Sequence, residues 1–185
     1  MIRVSEARTR VLAAVALAMA LATPVGAQTA APPPPSIAPS KGDVVPTFES
    51  LGIDGKPRKL DFPRGSKTVL LFFLSSCPHC HKMIPEWNRA YEQRPKGLDV
   101  VGVLMDQEPP GFWSTFPISF PVVRAPGREF LRTLNVNRAP LTLRVGEGGR
   151  IEDVAVGEAC SVGSGTPGVT CVDAIHFGQL FAPPK

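Results

Sequence analysis

The chain has 185 residues, 43% hydrophobic and 19% charged, with a formal net charge of +4. That length suits one domain with its own core, and so weak a positive balance, without a basic run, offers no phosphate track for nucleic acid. Four cysteines are too few for a disulfide-scaffolded mini-protein, so apolar packing has to hold the domain together.

Residues 1–27 read as a secretory signal: Arg3, Arg8 and Arg10, an apolar run from Val11 to Ala22, then Pro24 and the small-residue ending Val25-Gly26-Ala27. The run is short for about 30 Å of hydrocarbon, so cleavage after Ala27 is expected rather than anchoring. Cleavage would remove three arginines and one glutamate, leaving 158 residues with a charge of about +2. The expectation is a periplasmic protein with no stable membrane insertion after signal cleavage. Residues 28–45, with the Ala31–Pro35 proline run, read as an extended linker.

Residues 46–185 are expected to form the folded domain. Around the turn dipeptide Asp54-Gly55 the pattern predicts a β-hairpin, with Lys59-Leu60-Asp61 in its second strand. Thr68 to Leu74 is a continuous apolar run, as in a strand covered on both faces. After Cys77-Pro78-His79-Cys80 the period changes. Met83, Ile84, Trp87, Ala90 and Tyr91 form the stripe of a helix. Leu98 to Met105 predicts a second buried strand, ending at Asp106. A short helix is expected near Phe112 to Phe116, a brief strand at Pro121-Val122-Val123 and a helix at Arg128 to Leu134. Leu141 to Val145 and Ile151 to Val156, around a glycine-rich turn, predict an antiparallel hairpin, and Val172 to Phe181 a final helix. The order implies an α/β fold, a central mixed sheet flanked by helices with an N-terminal hairpin extension.

The chemistry concentrates in Cys77-Pro78-His79-Cys80. Thiolates carry out disulfide exchange, and a helix start presents unpaired N–H groups and a positive dipole end to a sulfur placed there. Pro78 suits the first helical position, and His79 adds a donor and a positive charge when protonated. Cys77, at the exposed end, is expected to form the mixed disulfide and Cys80 to resolve it. The pair needs no cofactor, and His81 and His176 are the only further histidines that zinc could use, so no metal is expected. Cys160 and Cys171 bracket a glycine-rich loop and are expected to form a structural disulfide, a second redox pair being the alternative. His81 is expected on the helix surface, with tuning of Cys80 as the alternative, His176 at the surface or partly buried in the final helix, and Trp87 and Trp113 in the core.

These features together resemble the thioredoxin fold, and more closely the exported TlpA/ResA-like thiol–disulfide oxidoreductases. The resemblance runs from about Pro46 to Gly157 and rests on Pro46-Thr47-Phe48, Asp54-Gly55-Lys56, the strand before the motif, Cys77-Pro78-His79-Cys80, Pro85, and Ala139-Pro140-Leu141-Thr142. It implies a three-layer thioredoxin-like fold. It also implies a cis bond before Pro140, facing the cysteines, with the Ala139 backbone and Ser76 at the substrate surface. Partners would be protein dithiols or disulfides and a redox protein that resets the pair. Leu71 and Met83 stand where thioredoxins and ResA-like reductases respectively carry a carboxylate, whereas Pro78-His79 matches the DsbA-like oxidases, so the electron direction is open. Two alternative functions fit the motif less well. Thioredoxin-fold peroxidases carry Thr or Ser where Leu74 stands, and thiol-based copper chaperones use a CxxxC spacing that is absent.

Overall fold

In the computed structural model, residues 38–160 and 171–183 are described. The heart of the molecule is the apolar run expected to form a covered strand. It forms β3 (Lys67–Phe73), the centre of a five-stranded sheet. Its neighbours are β4 (Leu98–Leu104), parallel, and β6 (Leu141–Val145), antiparallel, with β5 (Val122–Arg124) and β7 (Ile151–Val156) at the edges. The sheet is therefore mixed, in the order β5-β4-β3-β6-β7.

Alternation along β3 divides the core. Val69, Leu71 and Phe73 point to one face, where Met83, Ile84 and Trp87 of α1 (Pro78–Glu92) and Phe177 and Leu180 of α4 (Ala174–Leu180) cover them. Leu70 and Phe72 point to the other, against Phe48, Leu60, Leu134 and Val136, with Phe130 and Leu131 of α3 (Arg128–Thr133) alongside. Helices thus lie on both faces of the sheet, the thioredoxin-like three-layer arrangement. The N-terminal hairpin pairs β1 (Phe48–Leu51) with β2 (Pro57–Leu60), as Asp54-Gly55 predicted. The short helix α2 (Phe112–Thr115) follows β4.

Two expectations about element boundaries are corrected. Residues 38–45 fall in the expected linker, yet Ala38 and Val45 are buried, Gly42 N–H donates to Ile151 O at 2.8 Å and Val45 N–H to Gly149 O at 2.8 Å. The approach is so close that a Cβ on Gly149 would lie 2.0 Å from the Val45 carbonyl oxygen. A short polar segment with two apolar anchors packs without the periodicity that would announce it. The second correction concerns the C-terminal helix. It begins at Ala174, where the Asp173 carboxylate accepts from Ile175 N–H at 2.6 Å as an N-cap. The preceding residues form β9 (Cys171–Asp173), parallel to β8 (Glu158–Cys160), with Glu158 opposite Cys171 and Cys160 opposite Asp173. The side chains of Cys160 and Cys171, the loop between them and the expected signal at 1–27 lie outside the described residues.

Candidate active site

The site is built where β3 runs out into Leu74-Ser75-Ser76 and α1 begins. Cys77 is the N-cap of α1 and Pro78 its first residue, so the ring with no N–H takes a position that needs none. Cys77 Sγ accepts from Cys80 N–H at 3.4 Å, one of the orphan donors of the first turn. It is half-buried and unbridged, whereas Cys80, also unbridged, is fully buried. Burial pushes the Cys80 thiol far up; the hydrogen bond from the Leu74 backbone only partly offsets it, while Cys77 and the Asp106 charge push the same way. The two sulfurs are therefore unequal: one faces outward at a helix start, the other is held protonated in the core.

Across from Cys77, the Ala139–Pro140 peptide is cis, and Cys77 Sγ lies 3.9 Å from the Ala139 carbonyl oxygen. The structure thus brings Cys77, Cys80, Ala139 and Pro140 together. Ser76 is exposed beside them, but its hydroxyl is turned to Asp106 Oδ2 at 2.9 Å. His79 is half-exposed and hydrogen-bonded to the carboxylate of Glu158 on β8. Leu71 and Met83 are buried apolar contacts.

Two residues of this site escaped sequence reasoning. Asp106, just past β4, accepts from Ser75 N–H at 2.7 Å, Ser76 N–H at 3.1 Å and the Ser76 hydroxyl, so one carboxylate holds the loop that presents Cys77. The only signal was its place at the end of a buried strand beside the motif strand. Glu158 lies 79 positions from His79 and is brought to it by the step from β7 into β8, which no local pattern marks. His81, expected near the surface, is half-buried instead. Its Nε2 pairs with Ser75 O at 2.8 Å and its ring stacks on Phe116 with centroids 4.0 Å apart. Trp87 is fully buried as expected, while Trp113 is only partly buried and donates to Glu108 at 3.3 Å. His176 is half-buried, 3.1 Å from Asp153.

The Redoxin family matches residues 40–161, well over half of the chain. The sporulation thiol-disulfide oxidoreductase A of Bacillus subtilis is 26% identical over 101 residues; the match takes in 51% of this chain and spans 61% of that relative's length. Among solved structures, a protein described as thiol:disulfide interchange protein DsbE from Chlorobium tepidum superposes with a TM-score of 0.55 at 28% identity, covering 65% of this chain and 88% of that one. StoA from Bacillus subtilis superposes with a TM-score of 0.57 at 22% identity, over 74% and 97% of the two chains, a likeness of fold. Sheet order, the helix-start cysteines and the family match over residues 40–161 agree, and the chain belongs to the Redoxin family.

Proposed function

We propose that this protein is a thiol–disulfide oxidoreductase that exchanges disulfides with protein substrates in the periplasm through Cys77 and Cys80. The observation that carries the reading is the inequality of the two sulfurs: Cys77 half-buried at the N-cap of α1, Cys80 fully buried one turn inside. An outward sulfur at a helix start is an attacking or attacked atom. An inward one is protected until a mixed disulfide forms beside it.

In the reducing half-cycle, the Cys77 thiolate attacks a substrate disulfide; the new bond joins Cys77 to one substrate sulfur, and the other leaves as a thiolate. Cys80 then loses its proton and attacks Cys77, which releases the second substrate sulfur and closes the Cys77–Cys80 disulfide. The oxidising direction is the same path reversed. Ala139, whose carbonyl faces Cys77, has a backbone suited to pair with an extended substrate segment. Pro78-His79, Leu71 and Met83 favour the oxidising direction and the TlpA/ResA resemblance the reducing one. A reduction potential of about −120 mV would assign an oxidase, one of about −270 mV a reductase. Export rests on the pattern of residues 1–27.

The test is capture. Cys80→Ser, expressed in the periplasm, is expected to hold protein partners in mixed disulfides on Cys77, visible on non-reducing gels and released by dithiothreitol. Wild type and Cys77→Ser would show none. Absence of trapped partners from the Cys80→Ser protein would sink the exchange role. Peroxide consumption without a disulfide substrate would favour a peroxidase, and copper binding that blocks alkylation a copper chaperone.

A further inference from the structure

The first turn of α1 carries no acidic residue of its own, yet a carboxylate arrives there from another element. Glu158, on β8, accepts from His79 Nδ1, and the same oxygen lies 3.4 Å from Lys82 Nζ. Its side chain is only 13% exposed. Burial alone would raise the Glu158 carboxyl, but the hydrogen bonds and charges of His79 and Lys82 outweigh it and hold the group below the usual carboxylate range. Its place is fixed next door, where Ala159 N–H donates to Met83 Sδ of α1 at 3.1 Å. A largely buried negative charge therefore contacts His79 and Lys82, the side chains that follow Cys77 at two and five positions.

We propose that Glu158 is a positioning residue of the redox centre, lowering the reduction potential of the Cys77–Cys80 pair by countering Lys82, and His79 when it is protonated, beside it. This rests on reading that pair as a redox couple. When a donor dithiol reduces it, the donor is oxidised to its disulfide and the Cys77–Cys80 bond breaks. Two electrons and two protons pass to the pair; Cys80 keeps its proton, and Cys77 loses one to solvent whenever it ionises to the thiolate. A cation left uncompensated near that thiolate stabilises the reduced product, and a carboxylate that compensates it favours the disulfide. Glu158 would act on the sulfur through the residues it touches.

The experiment equilibrates the full chain with reduced and oxidised glutathione at pH 7 and reads the Cys77–Cys80 state by alkylation and peptide mapping. Glu158→Gln keeps shape and loses charge. It is expected to shift the equilibrium about tenfold toward the dithiol, a rise of about 30 mV for this two-electron couple. With His79→Ala in place, the same substitution is expected to shift it by about threefold or less, only Lys82 then being released. Glu158→Asp, which keeps the charge, is expected to stay nearer to wild type than Glu158→Gln. The exposed Lys82→Gln substitution should move the equilibrium the opposite way, toward the disulfide, and serves if Glu158→Gln fails to fold. A Glu158→Gln protein within twofold of wild type would overturn the proposal. So would a full shift that persists without His79, one that Glu158→Asp reproduces, or a Lys82→Gln protein that moves toward the dithiol or not at all. A wild-type chain with no reversible couple would fail the redox reading itself, which separates the two failures.

Discussion

At the scale of the residue, the inequality of Cys77 and Cys80 is a statement about reactivity. Cys80 is fully buried, with its thiol pushed up by desolvation, so an alkylating agent offered to the reduced native protein should modify Cys77 first. At pH 8, iodoacetamide is expected to label the Cys77 peptide at least about tenfold faster than the Cys80 peptide, a ratio that collapses in denaturant. Equal native rates would contradict the assigned roles. Asp106 carries a second expectation. Asp106→Ala removes the acceptor of three hydrogen bonds from Ser75 and Ser76, and charge-assisted bonds of this kind cost about 2 kcal/mol to lose where the donors stay partly buried. Urea unfolding should show that loss, and insulin reduction should slow because the loop presenting Cys77 loosens. The cysteines were legible from spacing and context, since a CxxC after an apolar strand and before a helical stripe has few other uses. Asp106 and Glu158 were not, because a carboxylate's role depends on which donors the fold brings to it from elsewhere in the chain.

At the scale of the element, α2 and β5 are tied by a contact that titrates. Glu108 accepts from Arg124 Nη1 at 2.6 Å and Nη2 at 2.7 Å, a two-pronged pair, and also from Trp113 Nε1. The hydrogen bonds from Arg124 outweigh burial and bring the Glu108 carboxyl down to about 2 from an ordinary 4.5. A carboxyl lowered by folding contributes stability that is fully present above its unfolded value and disappears as pH falls through the folded one. Wild type should therefore lose this contribution between about pH 4.5 and about pH 2. Discounted for solvent around the partly exposed Arg124, it is roughly 1–2 kcal/mol. Glu108→Gln should be less stable than wild type at pH 7, and the gap should close toward pH 2; urea midpoints across that range check it. The helix α1 was legible from its apolar stripe, and the β6–β7 hairpin from the glycine-rich turn. The β8–β9 pair was not, because its strands are three residues each and too short to show a period.

At the scale of the whole molecule, one buried guanidinium fastens the C-terminal helix α4 to the sheet. Arg144 of β6, 9% exposed, donates through Nη1 to the carbonyls of Leu180 and Ala182 at 2.8 Å each and meets Glu152 of β7 through Nε at 3.4 Å. Those carbonyls belong to the last turn of α4 and the residues just beyond, which would otherwise be unpaired in a buried place. Arg144→Ala is expected to cost about 3 kcal/mol, since it strands these acceptors and leaves Glu152 with Lys67 alone. For a domain of this size that is a fall in Tm of about 6–12 °C, with the amides of α4 losing hydrogen-exchange protection first. The three-layer architecture itself was legible, because β3 is apolar at every position from Val69 to Phe73, which fits a short strand covered on both faces. An arginine on the neighbouring strand reads as a surface residue until α4 is laid over it.

The proposed disulfide exchange depends on Cys77 and Cys80 forming one reversible couple. Wild-type protein equilibrated across a series of glutathione ratios, then alkylated and mapped by mass spectrometry, tests that directly. A single two-electron transition involving Cys77 and Cys80, with a midpoint between about −270 and −120 mV, is the predicted result. A pair that stays reduced, or stays oxidised, across the whole series would contradict it.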